Sequence, residues 1–264
     1  MPASGRLATV NLHYREIGDA ANPRLCLLHG LFGSSVNWMG IVKRLQGNYR
    51  LLLPDLRNHG RSPHQATMDY PLMAGDVYKL MDRLGIDSVS LLGHSMGGKT
   101  AMWMALQQPE RIDKLVVADI APVTYENRFE SIFQGLCSLP LHEIHSREAA
   151  ERYLTGWVKE KPVRQYLLQN LLKQPDGWRW RFNLPVLQAA MPVLSGFPEV
   201  QGRSYAGDVL FIHGEGSDYV TEAYQERMRG LFPHYRQRLL HGAGHWLYAE
   251  QPGPFSQAVR VFLN

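Results

Sequence analysis

Short apolar runs, each closed by a turn-forming residue, recur along the chain. They are LCLLH at 25–29, RLLLPD at 50–55, SVSLLGHS at 88–95, KLVVADIAP at 114–122, VLFIHG at 209–214 and RQRLLHG at 236–242. Runs of four or five apolar residues bounded by Gly, Pro or Asp suit strands buried on both faces. Helical patterns separate them. Met73, Val77, Leu80, Met81 and Leu84 fall on one stripe of a helix that Gly85 ends, and a second helix is expected over Met96–Gln107, with Pro109 beyond its stop. Strand, helix, strand in alternation predicts an α/β protein built on a mostly parallel sheet covered by helices. LATVNLHYREIG near the start reads as an antiparallel hairpin, which would bring the sheet to eight strands.

One run carries chemistry. Gly93-His94-Ser95-Met96-Gly97 follows SVSLL directly and opens a helical pattern. A serine at so tight a strand-to-helix turn is held with its hydroxyl exposed, and flanking glycines are needed because a Cβ there would strike a neighbouring strand or helix. The helix N-terminus behind it presents backbone N–H groups where an oxyanion would form.

Composition excludes several other classes. At 264 residues and 45% hydrophobic, the chain can bury a large core and is too apolar for a disordered protein. No stretch approaches the roughly 18–20 uninterrupted apolar residues of a membrane span, and MPASGRLATV lacks the apolar core of a signal peptide. The 28 basic and 24 acidic side chains are dispersed, so no nucleic-acid footprint is expected. Cys26 and Cys137 fit no metal spacing and suggest no disulfide framework, and the expected location is cytoplasmic.

Residues 123–205 break the alternation. The segment is helical in texture, lacks strand-like runs and is rich in aromatic residues, among them Tyr125, Phe129, Phe133, Trp157, Trp178, Trp180 and Phe182. More than 80 residues between two strands is too long for a connection, so an inserted helical cap over the carboxyl edge of the sheet is expected. The core is then formed by residues 1–122 and 206–264.

The stretches LLHGLFGSSVNW, LLPDLRNHGRSP, LLGHSMGGKTAM, DKLVVADIAPVTY, WRFNLPVL and GAGHWLYAEQP span nearly the whole chain. In that order they resemble the α/β-hydrolase-fold serine hydrolases and, more narrowly, the YbfF-type bacterial esterases. The resemblance implies an α/β-hydrolase fold, a serine nucleophile at Ser95 and a general base at His245, in GAGHWLYAEQP. His241 is expected to cap or pack, and His94 to turn its side chain away from the reacting hydroxyl.

The acid has two candidates. The pattern usual after the strand that follows the cap, H-G-x-x-D-x-x-V, meets His213-Gly214-Glu215-Gly216-Ser217-Asp218-Tyr219-Val220 here. Its acid slot falls on Ser217, with Asp218 one place late. Asp119, at the end of the preceding strand, is where some relatives carry the acid. Asp119 is therefore expected to orient His245, with Asp218 as the alternative and Ser217 near the histidine. The resemblance places the oxyanion hole at the N–H of Met96 and of Leu31, with Phe32 as the other possible second donor. Phe32, His94, Trp157, Trp180 and Trp246 are expected to contact substrate. Asp55, Arg57, Asn58, His59 and Arg61 read as a structural loop, with Asn58 in a left-handed position and Arg57 bonding backbone carbonyls.

The expected activity is carboxylester hydrolysis through an acyl-enzyme, on small-molecule substrates, by a monomer or weak homodimer that needs no metal or organic cofactor. Thioesters such as acyl-CoA use the same machinery, and C–C bond hydrolysis or a lyase reaction is a further alternative. A non-catalytic binding protein is the reading from a different class.

Overall fold

The computed structural model describes residues 8–264. All six strands expected from the apolar runs form. With the edge strand β1 (Tyr14–Ile17) they are β2 (Arg24–Leu28), β3 (Arg50–Pro54), β4 (Val89–His94), β5 (Ile112–Ala118), β8 (Val209–Gly214) and β9 (Tyr235–Leu240). They build one sheet in the order β1-β3-β2-β4-β5-β8-β9. Only β1 runs antiparallel, pairing Tyr14 with Pro54 and Ile17 with Leu51.

The sheet has seven strands among the described residues rather than eight. Of the expected hairpin, Tyr14–Ile17 is a strand and residues 8–13 are not; Leu7 lies outside the described residues. Backbone bonding replaces a second arm, with the Asp55 N–H donating to His13 O at 2.9 Å.

Successive strand residues face opposite sides, and both sides are buried. Cys26, Leu28, Leu52, Leu91, Leu115, Val117 and Phe211 pack in one core layer with Met73, Val77, Ala101 and Ala105. These last come from α2 (Tyr70–Arg83) and α3 (Met96–Gln107). Leu25, Leu27, Leu51, Leu53, Leu92, Val116 and Ile212 pack in the other layer with Ile41, Val42, Phe255 and Val259, from α1 (Met39–Leu45) and α10 (Pro252–Leu263). The small helices α8 (Gln225–Leu231) and α9 (Leu247–Glu250) complete these layers. Local signals fit: the Asp69 carboxylate accepts the Leu72 N–H at the start of α2, and Gly85 after its end has φ +63°.

The chain after β2 turns to α1 on one face, and the chain after β4 turns to α3 on the other. Adjacent strands whose connections part in this way open a crevice at their carboxyl ends. The loop 29–34 and Ser95 lie there.

Between β5 and β8 the chain forms α4 (Glu130–Ser138), α5 (Arg147–Leu154), α6 (Lys161–Leu168) and α7 (Leu184–Ser195). The expectation of a segment without strands is corrected: β6 (Leu171–Gln174) and β7 (Gly177–Trp180) form an antiparallel hairpin pairing Leu171 with Trp180. Gln174-Pro175-Asp176-Gly177 makes its turn, and Gly177 takes φ +132°. Both ends of the segment are tied to α3 by one buried side chain. The Lys99 ammonium donates to the carbonyls of Val123, Ser195 and Gly196 at 2.8, 2.9 and 2.6 Å.

Candidate active site

A single residue, Ser95, separates β4 from α3. Its φ of 51° and ψ of −119° are strained for a residue with a side chain. The glycines around it are required by close approach. A Cβ on Gly93 would sit 2.3 Å from Gly97 O, and one on Gly97 would sit 2.3 Å from Leu28 O. The turn aims Ser95 into a cavity of about 540 Å³ that His245 also lines.

Asp119 follows β5 and is completely buried, at φ 52°. Its Oδ2 lies 2.7 Å from His245 Nδ1 and also accepts the Ser217 hydroxyl, while its Oδ1 accepts the Gly214 N–H at 3.1 Å. An acceptor at Nδ1 holds the imidazole with its proton there and leaves Nε2 as the basic lone pair. Asp218 points away. Both its oxygens bond Arg128 at 2.6 Å, and its side chain is 64% exposed. The one-residue offset read in the sequence thus places Ser217 against Asp119 and Asp218 in solvent.

The loop after β2 is held by two histidines. His59 Nδ1 lies 2.9 Å from Arg57 O and its Nε2 accepts the Phe32 N–H at 3.2 Å. His29 Nδ1 lies 2.9 Å from Gly30 O and its Nε2 accepts the Leu56 N–H at 2.9 Å. Burial lowers the pKa of both, that of His59 to about 3, which keeps each ring neutral and its Nε2 an acceptor. The Phe32 N–H is therefore engaged, whereas Leu31 N makes no such bond among the described residues. The Met96 N–H is one of the four that a helix start leaves without an intrahelical acceptor.

His94 is buried beneath the base. Its Nε2 lies 2.8 Å from His245 O, and burial, followed by the nearby His245, lowers its pKa well below the ordinary value. Neutral His94 thus donates from Nε2 to the His245 backbone. Tyr219 stacks on the His245 ring with centroids 4.3 Å apart, and its own backbone carbonyl is held by Tyr125 Oη at 2.6 Å.

The segment between β5 and β8 roofs this site. From α6 and the residues after it, Tyr166 Oη donates to Leu31 O at 2.9 Å and Asn170 Nδ2 to Phe32 O at 2.7 Å. Phe32 itself packs at 5.3 and 5.2 Å from the rings of Phe133 and Phe182.

Comparison with known proteins identifies the family. A family model described as alpha/beta hydrolase fold matches residues 23–135 and 121–252. The esterase YbfF of Escherichia coli is 37% identical over 244 residues, covering 92% of this chain and 94% of that protein. The mouse sn-1-specific diacylglycerol lipase ABHD11 is 38% identical over 255 residues, covering 93% of this chain and 82% of that one. The chain belongs to the α/β-hydrolase family. A solved structure described as a marine microorganism esterase superposes on this hydrolase with a TM-score of 0.92 at 34% identity, covering 96% of this chain and 99% of that one.

Of the side chains expected to contact substrate in this α/β-hydrolase, Phe32, His94, Trp157 and Trp246 line the cavity. Trp157 stands at its rim, 37% exposed. Trp180 does not line it. Its ring stacks on Phe182 at 5.3 Å and its Nε1 donates to Leu136 O at 3.2 Å, so it packs inside the roof. Sequence reasoning missed Tyr219, Tyr166 and Phe129, which also line the cavity. Tyr219 could have been suspected from its place two residues after the acid slot; the other two are aromatic residues of a roof whose folding the pattern does not show. The loop Asp55–Arg61 is structural. Arg57 makes a buried bidentate pair with Asp76 at 2.6 and 2.8 Å and donates to Ala8 O, and Asn58 has φ 63°.

No cluster of three or more metal-ligating side chains occurs among the described residues. Nor is any described helix long and apolar enough to cross a membrane.

Proposed function

We propose that this protein is a serine carboxylester hydrolase working through an acyl-enzyme. The observation that carries the reading is the buried Asp119 carboxylate on His245 Nδ1 within the cavity that the strained Ser95 also lines. Names of relatives support the substrate class, since an esterase and a diacylglycerol lipase both cleave carboxylic esters.

In this mechanism Ser95 Oγ attacks the acyl carbonyl while His245 Nε2 takes its proton. The carbonyl oxygen becomes an oxyanion facing the N–H groups of Leu31 and Met96, which stabilise the charge that develops there. The tetrahedral intermediate collapses, its bond to the leaving oxygen breaks, and His245 gives its proton to the departing alcohol. Water then attacks the acyl-enzyme by the same route and releases the carboxylic acid. Asp119 stays ionised and favours the imidazolium formed at each step.

Residues 123–205 serve as the cap in this reading, and the apolar side chains of Phe129, Ile132, Val163 and Leu167 receive the acyl chain. The test is the initial rate of wild type and Ser95→Ala on p-nitrophenyl esters from acetyl to palmitoyl. Turnover by wild type that Ser95→Ala abolishes is expected. Turnover that survives Ser95→Ala contradicts the assignment.

A further inference from the structure

The turn that contains Leu31 is held against its own backbone preference. Gly30-Leu31-Phe32-Gly33 closes on a bond from the Gly33 N–H to Gly30 O at 3.0 Å, and Phe32 at its third position has φ 61°. A positive φ there is what a type II turn demands, and glycine is the usual occupant. A bulky aromatic residue in that conformation is strained and persists only where its surroundings hold it.

Most of what holds it comes from the roof. The central peptide is gripped on both sides: Tyr166 Oη donates to Leu31 O at 2.9 Å, and the Phe32 N–H donates to His59 Nε2 at 3.2 Å. The next carbonyl, Phe32 O, accepts Asn170 Nδ2 at 2.7 Å. The Phe32 ring sits among Phe129, Phe133 and Phe182, with centroids 6.3, 5.3 and 5.2 Å away. Of these partners only His59 belongs to the core; the other five lie between β5 and β8.

Roof and turn approach closely. A Cβ on Gly33 would lie 2.7 Å from Tyr166 Oη, and a Cβ on Gly30 would lie 2.9 Å from His94 Nδ1. The turn is thus clasped between a roof hydroxyl and the imidazole beneath the base. Tyr166 Oη makes no other hydrogen bond among the described residues, and Asn170 does not line the cavity.

An oxyanion donor works only if its N–H is aimed before the charge develops. Relaxing Phe32 to a negative φ would rotate the Leu31–Phe32 peptide and shift Leu31 with it. We propose that Tyr166 and Asn170 are positioning residues for the oxyanion hole: the roof holds the strained turn, so the hole is complete only while the roof is seated. The inference rests on the esterase reading for the meaning of that hole, and adds to it a dependence of the chemistry on two roof side chains.

Tyr166→Phe keeps the ring and removes the hydroxyl, and Asn170→Ala removes the other donor. On p-nitrophenyl butyrate, kcat is expected to fall about tenfold in Tyr166→Phe and roughly a hundredfold in the double variant, with KM within about twofold. Tyr153→Phe deletes an exposed roof bond to Ser138 O and should leave kcat within about twofold.

A trifluoromethyl butyl ketone, isotope-labelled at its carbonyl carbon, reads the hole directly. Ser95 Oγ bonds to that carbon, the serine proton passes to His245, and the carbonyl oxygen keeps the electron pair as an oxyanion. NMR follows the pH at which this oxygen takes up a proton. A tenfold weaker hole raises that pKa by about one unit, which a merely structural role in the roof would not do.

Amide exchange supplies a readout independent of turnover. The Phe32 N–H should exchange at least about tenfold faster in the double variant, with the β4 amides unchanged. Tyr166→Phe, which removes a single oxygen atom, carries the same readouts on its own. An unaltered kcat or adduct pKa, a loss confined to KM, or an unchanged Phe32 amide overturns the inference. Failure of wild type to hydrolyse the ester would count instead against the esterase reading, and the exchange result would still decide whether the roof holds the turn.

Discussion

Asp119 Oδ2 and His245 Nδ1 lie 2.7 Å apart, joining the end of β5 to the loop that follows β9. The other acidic candidate, Asp218, is engaged by Arg128 at the surface. Replacing Asp119 with Asn removes the acceptor that selects the Nδ1-protonated tautomer, and kcat is expected to fall by roughly 10⁴-fold. Asp218→Asn loses one exposed ion pair and should stay within about twofold of wild type. Steady-state kinetics of both variants on one p-nitrophenyl ester decide the matter. A large loss in Asp218→Asn alone would move the acid to that residue.

The turn at Ser95 depends on space as much as on backbone conformation. Gly97→Ala places a methyl group 2.3 Å from Leu28 O, a backbone atom that cannot swing aside. The strand or the helix must shift, and a loss of about 3 kcal/mol or more in stability is expected. Gly253→Ala is the control, since a Cβ there meets nothing within 4 Å. Denaturant unfolding of the two variants should separate them clearly, and equal midpoints would refute the packing argument.

The uneven legibility of the sequence has a physical basis. Strands buried on both faces read directly as apolar runs, and the Ser95 turn is legible because its constraints fall on five consecutive residues. The acid was narrowed to Asp119 or Asp218 by an offset of one position, and three-dimensional packing separates them. Ser217 occupies the expected slot but bonds Asp119. The β6–β7 hairpin escaped because its strands are four residues each, although Pro175-Asp176-Gly177 is a turn signal. Trp180 was misplaced because aromatic composition does not tell which ring faces a cavity and which faces Phe182. The stacking of Tyr219 on His245 joins residues 26 apart in sequence, a contact that no local period encodes.

Three buried neutral histidines give the fold a pH dependence of definite sign. Burial lowers His29, His59 and His94 below the ordinary value of 6.5. In the unfolded chain each takes up a proton near pH 6.5, whereas the folded state does not. Their contribution is therefore fully present above that pH and is lost as pH falls toward the folded pKa values. Each group that differs in this way removes up to about 1.4 kcal/mol per pH unit. Unfolding free energy should decline steeply between pH 6.5 and 5, before most carboxylates titrate. A flat profile over that interval would show that these rings are protonated in the folded protein.

Lys99 links the candidate nucleophile's helix to both ends of the roof. Its ammonium meets Val123 O, Ser195 O and Gly196 O, and the Tyr125 ring lies 4.7 Å from it. Lys99→Met keeps most of the volume but leaves Val123 O and Gly196 O without a donor, while Ser195 O keeps the Tyr125 N–H at 3.0 Å, for a loss on the order of 3 kcal/mol. Because the acceptors sit at the two junctions, the loss should appear there first. Hydrogen exchange should show reduced protection at the Tyr125 and Gly196 amides, with β4 unchanged. Burial also lowers the Lys99 pKa to about 7. An opened junction exposes this amine to water and raises its proton affinity, so opening takes up a proton above pH 7. Wild-type protection at these amides, corrected for intrinsic exchange, should therefore increase from pH 7 to 9, and Lys99→Met should lack that slope. Parallel profiles in the two proteins would show that Lys99 does not govern the opening of the roof.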